Sequence, residues 1–303
     1  MPFHLTSAHS GRVALTGLVI ALGELCGPYA RAQSGSRLLD RVGLDVTSVV
    51  DSSRYLIYRY RMTNSASSGG GVAVLALDVS ATTETGRVLL PFTGRVEHGA
   101  SGRAYHVPLG GLAPDTWKME VLYNARFEWY AATVGAVVND SWLPANGDSV
   151  APGESRDGFG LRSPYLPGVR GFIAQPTWQA CCSRPTPGAP DGEHAAPGAF
   201  LVRGFAVGPA VRPEAMSLAL VQLDLHQACD PLRWIASGTV CGELRSTAER
   251  ASAALKRGDD QGTKEILRAF LSNLDAQHGP GKPVNDNAYW LLKVNAEYVL
   301  AHM

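Results

Sequence analysis

Hydrophobic and polar positions alternate along the middle of the chain in a pattern typical of β-strands. Within Arg54–Asn64 every second residue from Leu56 to Met62 is large and apolar, which predicts a strand with one buried face. A Ser/Gly-rich stretch at 65–71 leads to a second such pattern at Val72–Ser80, and we predict that the two strands form a hairpin. Further strands are predicted at Arg103–Leu109, Trp117–Tyr123, Arg126–Val134, Gly158–Leu161, Val169–Ala174 and Leu201–Val211. Short strands separated by turn signals indicate an antiparallel, immunoglobulin-like β-sandwich.

The spacing of apolar residues changes to three and four positions in the last part of the chain, which predicts helices. Asn285 stands where the N-cap of the last helix is expected. The apolar stripes that mark three helices run over Leu244–Leu255, Ile266–Leu274 and Tyr289–Val299. The fold class predicted is therefore α+β by domains, with a β-sandwich domain over residues 38–228 and a three-helix bundle over residues 229–303.

The segment Met216–Ala228 fits two patterns. Leu218, Val221 and Leu225 have helical spacing, whereas residues 221–226 alternate between apolar and polar without exception. We favour a strand here because the alternation is unbroken.

The N-terminal pattern predicts a secretory signal peptide over residues 1–32. Arg12 precedes an apolar run at 13–22 that is too short to span a bilayer, and Ala30-Arg31-Ala32 has the form of a cleavage site before Gln33. A buried N-terminal helix and a lipoprotein anchored through Cys26 are the alternatives. The expected location is secreted or periplasmic, with no transmembrane segment in the mature chain.

Charge and cysteine content narrow the function classes. The chain has 303 residues with 27 basic and 27 acidic side chains, so its formal net charge of +0 gives no electrostatic basis for binding nucleic acid. Cys229 and Cys241 flank a loop at the entrance to the predicted bundle, and export favours a disulfide between them over free thiols or metal ligation. The state of the adjacent Cys181 and Cys182, which precede a Pro/Gly-rich loop at 183–198, is left open.

We assign no catalytic residue, no metal ligand and no cofactor. The sequence has no G-x-S-x-G nucleophile motif, no phosphate-binding glycine loop and no histidine pair with zinc spacing. Asp259-Asp260 and Asp286-Asn287 are better explained as helix caps than as calcium ligands, since the twelve-residue calcium loop pattern is missing.

Aromatic side chains are the best candidates for a ligand surface, because they offer flat apolar faces with polar edges that suit sugar rings. Most of the aromatic residues are expected in the sandwich core. Trp142, in a predicted loop with Asn139 and Asp140, is the first candidate for an exposed ligand contact, and Trp290 is the second.

Two sets of sequence blocks resemble modules of exported bacterial proteins. YRYRMTN and PGESRDGFGLRSPYLPG resemble a β-sandwich module seen in uncharacterised secreted proteins. CDPLRWIASGTVCGEL, ALKRGDD and VNDNAYWLLKVNAEYVL resemble, in order, the FIMAH-type helical accessory modules of secreted hydrolases and surface proteins. The resemblance implies a multi-module exported protein and transfers no catalytic residue. We expect a non-catalytic binding or scaffold protein at or outside the cell surface, with a carbohydrate or protein partner. The alternative is a secreted hydrolase with an unrecognised active site in the sandwich.

Overall fold

The computed structural model describes residues 39–51, 55–78, 95–98, 104–107, 112–122, 126–131, 149–176 and 202–303. Within that part of the chain the protein is a mixed α+β structure, in which two antiparallel sheets are followed by four α-helices. The predicted signal peptide and the Pro/Gly-rich loop at 183–198 lie outside the described residues.

In the part of the chain that the structure describes, ten strands build the two sheets. They are β1 (Val42–Asp51), β2 (Leu56–Asn64), β3 (Val72–Asp78), β4 (Arg95–His98), β5 (Ala104–Val107), β6 (Trp117–Leu122), β7 (Arg126–Ala131), β8 (Ser155–Ser163), β9 (Leu166–Pro176) and β10 (Val202–Val211). The smaller sheet has the order β1-β2-β8, and the larger has the order β10-β9-β3-β7-β6-β5-β4. The alternation predicted for β2 is confirmed, since Tyr58, Tyr60 and Met62 are buried and Arg59 and Arg61 are exposed.

The predicted hairpin between β2 and β3 is wrong. β2 pairs with β1 and β8, whereas β3 pairs with β7 and β9 in the other sheet. The loop between them crosses from one sheet to the other, and the Asn64 side chain holds its start by donating to the backbone carbonyls of Gly70 and Val150. The Asn64 side chain thus fixes a crossing loop at a place where a hairpin would need a tight turn.

The two sheets contact each other through aromatic side chains. The rings of Trp117 in β6 and Phe159 in β8 meet edge to face, with centroids 5.1 Å apart. A single bridge between Leu112 and Gly160 also joins the backbone next to β6 to β8. Leu75 and Leu77 of β3 are buried in the same core.

Four α-helices follow a short 3-10 turn at Pro213–Ala215. They are α1 (Leu218–Cys229), α2 (Gly238–Lys256), α3 (Asp260–Gln277) and α4 (Asp286–Ala301). Each begins at a polar N-cap whose side chain accepts a backbone N–H two or three positions on, as helix starts require. The caps are Ser217, Ser237, Asp259 and Asn285. The N-cap predicted at Asn285 is confirmed.

The strand favoured for Met216–Ala228 is wrong, because the segment forms α1. Leu218, Val221 and Leu225 are buried at helical spacing. Leu223, which completed the apparent alternation, is 50% exposed and contributes nothing to the core. The helices therefore begin at Leu218, ahead of the predicted start of the bundle at Cys229, and number four in the described residues.

The helices and the sheets share one hydrophobic core. α4 packs against β1, β9 and β10 as well as against α1 and α3. The disulfide predicted between Cys229 and Cys241 is confirmed: it joins the end of α1 to the first turn of α2, with an S–S distance of 2.05 Å. Both cysteines are buried, and Trp234 in the loop they enclose packs in the same core.

Candidate functional site

The structure bears on only part of the predicted ligand surface. Trp142, Asn139 and Asp140 lie outside the described residues, as do Cys181 and Cys182. Trp290 is half-buried on α4, where it packs against the core and meets the ring of Tyr289 edge to face, with centroids 5.1 Å apart. Its surroundings are those of a side chain that anchors a helix.

Tyr289 is the centre of a polar cluster between the end of α3 and the start of α4. The His278 ring stacks on it at a centroid distance of 3.7 Å, and the Tyr289 hydroxyl donates to Asp275 Oδ1 at 2.8 Å. Lys293 Nζ donates to the same carboxylate oxygen at 2.9 Å. His278 Nε2 in turn lies 2.7 Å from Asp286 Oδ1. These groups bind one another, so the cluster fastens α3 to α4.

The pKa values in this cluster follow from its contacts. Burial raises the pKa of Asp275, but hydrogen bonds from Lys293 and Tyr289 outweigh it and leave the pKa below its usual value. Burial lowers the pKa of Lys293, and its bonds to Asp275 and Tyr289 more than reverse that effect. Both groups are therefore charged at neutral pH, as a paired carboxylate and ammonium should be.

A recess on the outer face of the larger sheet is a better candidate for a ligand site. It has a volume of about 260 Å³ and is formed by β3, β9 and β10. The strand register places Phe205 opposite Gly171, and Arg203 opposite Ile173, all on one face. Ala76 lies next to Ile173 on β3 and continues the floor.

Two sequence features create this recess. Gly171 has no side chain, and a Cβ built on it would meet no atom within 4 Å, so the space above the strand is open. Phe205 lies at the edge of the recess and is 56% exposed, although phenylalanine side chains are usually buried. The exposed Arg203 adds a planar, permanently charged group with several hydrogen-bond donors. A flat aromatic face beside a guanidinium is suited to binding, and none of the described residues that line the recess is a nucleophile or a general base.

The sequence predicted a strand at Leu201–Val211 but did not single out Phe205 or Arg203. Their two-residue spacing shows that they share a face. Phe205 lies opposite Gly171 on β9, and that pairing is a long-range feature that the local sequence does not contain.

Two further properties concern the described residues alone. None of their helices is long and apolar enough to cross a membrane. No three of their histidine, cysteine, aspartate or glutamate side chains come together in a group that could hold a metal ion. Comparisons with protein-family models and with curated proteins find no match for this chain.

Proposed function

We propose that this chain is an exported, non-catalytic binding or scaffold protein that acts at or outside the cell surface. The observation that carries the proposal is the recess at Gly171, where Phe205 is 56% exposed beside Arg203. Aromatic and arginine side chains are residue types that are enriched where proteins bind partners.

Carbohydrate is the ligand class that we put forward. A phenylalanine face packs well against the apolar face of a sugar ring, and the guanidinium of Arg203 can donate to hydroxyl or carboxylate oxygens at the edge of the ring. A recess of about 260 Å³ is of the right order for one sugar residue with its neighbours in solvent.

The finer architecture belongs to the same proposal. We take the two sheets to be the layers of an immunoglobulin-like sandwich, and the helices to be an accessory module similar to the FIMAH type. The buried disulfide between Cys229 and Cys241 supports export, because such bonds persist in oxidising compartments. The contacts of α4 with β1, β9 and β10 support a role in holding the binding sheet.

A glycan-array screen of the chain from Gln33 onward tests the function. We expect binding to one glycan class, which Phe205→Ala weakens at least tenfold. Gly171→Val should also weaken it, because the added side chain enters open space in the recess without touching the core. Leu223→Ala is the matched control, since it removes a similarly exposed apolar side chain from α1.

Three other outcomes would contradict the proposal. Glycan binding that survives both recess variants would place the ligand elsewhere on the molecule. Binding to no glycan would remove carbohydrate as the ligand class and direct the search to a protein partner. Release of reducing sugar from a bound glycan would favour the secreted-hydrolase alternative.

A further inference from the structure

The junction of α1, α4 and β9 contains a buried carboxyl group, and no described cationic side chain shifts its pKa. Asp224 in α1 is 7% exposed, and Asn295 in α4 is fully buried. The Asn295 Nδ2 group donates to Asp224 Oδ2 at 2.8 Å and to the carbonyl oxygen of Pro167 in β9 at 3.0 Å. Both N–H bonds of the amide are thus used, and one side chain ties three elements together.

The carbonyl half of the same amide has no partner. Asn295 Oδ1 is buried and accepts no hydrogen bond. A buried acceptor without a donor is costly, and most such groups in proteins are satisfied. An ionised Asp224 offers only acceptors, whereas a protonated Asp224 carries one O–H donor, and its Oδ2 atom is already in contact with this amide. A carboxylic acid and a primary amide can pair through two hydrogen bonds, one in each direction.

We propose that Asp224 is protonated in the folded protein, and that this protonation stabilises the packing of α1, α4 and β9 at their junction. This junction holds α4 in place. The same helix carries a second buried amide, Asn287, which binds the backbone of β1 and β10. Loss of the proton leaves a buried carboxylate ion without a neutralising charge and removes the O–H donor, so it loosens the attachment of α4 to the sheets.

The electrostatic surroundings agree with this assignment. Burial raises the pKa of Asp224 to about 7, and the hydrogen bond from Asn295 opposes the rise only in part. Charged side chains on the packed elements have other partners: Lys293 of α4 binds Asp275 and Glu297, and Arg170 of β9 donates to the Pro209 carbonyl. His226, two positions along α1, is exposed. None of these groups is among the causes of the shift.

The direction of the pH effect follows from linkage. The folded-state pKa of about 7 lies above the ordinary value of 3.8. The contribution of Asp224 to stability is therefore complete below pH 3.8 and is lost as the pH rises to about 7. In that window the folding equilibrium constant falls by up to about tenfold per pH unit, which is up to about a hundredfold between pH 5 and pH 8.

Denaturant unfolding of the whole protein across this range is the test, with Asp224→Asn as the variant. An asparagine keeps the shape of the acid and cannot ionise, so the variant should lose the fall in stability that the wild type shows. Asp230→Asn is the control, because this carboxylate is exposed at the end of the same helix and pairs with Arg245. Its pH profile should match the wild type.

A second measurement on the wild type keeps the proposal testable if the Asp224→Asn variant does not fold. NMR of the wild type with isotope-labelled aspartate carboxyl groups should reveal one aspartate that titrates two or more pH units above the others. Its absence, or equal pH slopes for the wild type and Asp224→Asn, would overturn the proposal.

Discussion

Asn287 in α4 accepts the backbone N–H of Val46 in β1 through its Oδ1 atom at 3.1 Å, although the two residues are 241 positions apart. The same oxygen accepts the N–H of Val207 in β10 at 3.4 Å, while Nδ2 donates to the carbonyl of Leu44 at 3.1 Å. β1 and β10 are edge strands of different sheets. One amide therefore satisfies three backbone groups on these two edges, which otherwise invite pairing with other chains.

Replacing Asn287 with alanine should destabilise the protein strongly. The change leaves buried backbone groups on two strands without partners, and we expect it to lower the free energy of unfolding by about 3 kcal/mol or more. Asn273→Ala, at the surface depression between α2 and α3, is the matched control and should change it by less than about 1 kcal/mol. Urea unfolding measures both. If both variants lowered the free energy of unfolding by the same small amount, Asn287 would not be needed to satisfy the two strand edges.

The local sequence pattern predicted those strands and helices in which apolar residues recur at a regular spacing. The alternation in β2 and the stripes of α2, α3 and α4 depend on neighbours within a few positions, so the sequence predicts them. β1 was missed, although Val42, Leu44 and Val46 are buried in alternation with less buried neighbours. Strand pairing was not predictable, because one partner of β2 is the missed strand β1 and the other is β8, which lies far along the chain.

The same limit applies to the site. Asn287 was interpreted as part of a helix cap, yet it is 2% exposed and binds two strand edges. Leu223 completed an alternation although it faces solvent. In both cases the role depends on which side of a helix meets the sheets, and short-range spacing does not determine that. The disulfide between Cys229 and Cys241 was predictable because their separation of 12 positions and the predicted export already favour the bond.

Breaking the disulfide should lower stability without dismantling the fold. The bond closes a loop with a sequence separation of 12. The chain-entropy model assigns such a loop about 3 kcal/mol. We expect Cys229→Ser with Cys241→Ser to lose about that amount in urea unfolding, and reduction of the wild type to give a similar value. Thiol titration of the native protein is the check: free Cys229 and Cys241 there would rule out the bond.

The ion pair between Lys293 and Asp275 should contribute little at neutral pH, because Asp275 is half exposed. We expect Lys293→Met to cost less than about 1 kcal/mol at pH 7. The pKa of Asp275 is lowered in the folded state, so its contribution is present above the ordinary value of 3.8 and disappears as the pH falls through the folded-state value. The difference between wild type and Lys293→Met should therefore shrink in acid. An NMR titration should show the pKa of Asp275 rising in the variant, and an unchanged pKa would contradict the assignment.

Gly204 and Gly171 lie on neighbouring strands and should respond to alanine in opposite ways. A Cβ on Gly204 would lie 2.5 Å from Cε1 and Cζ of Phe172, whose ring is buried against the core and has little room to move. Gly204→Ala should therefore cost about 1–3 kcal/mol, as overpacked core positions do. A Cβ on Gly171 meets nothing within 4 Å, and Gly171→Ala should be neutral or raise stability by about 0.5 kcal/mol, since it restricts the unfolded chain. Urea unfolding of the two variants side by side is the measurement. If Gly171→Ala were the more damaging change, the space over β9 would be filled, and the recess beside Phe205 would not be an open surface.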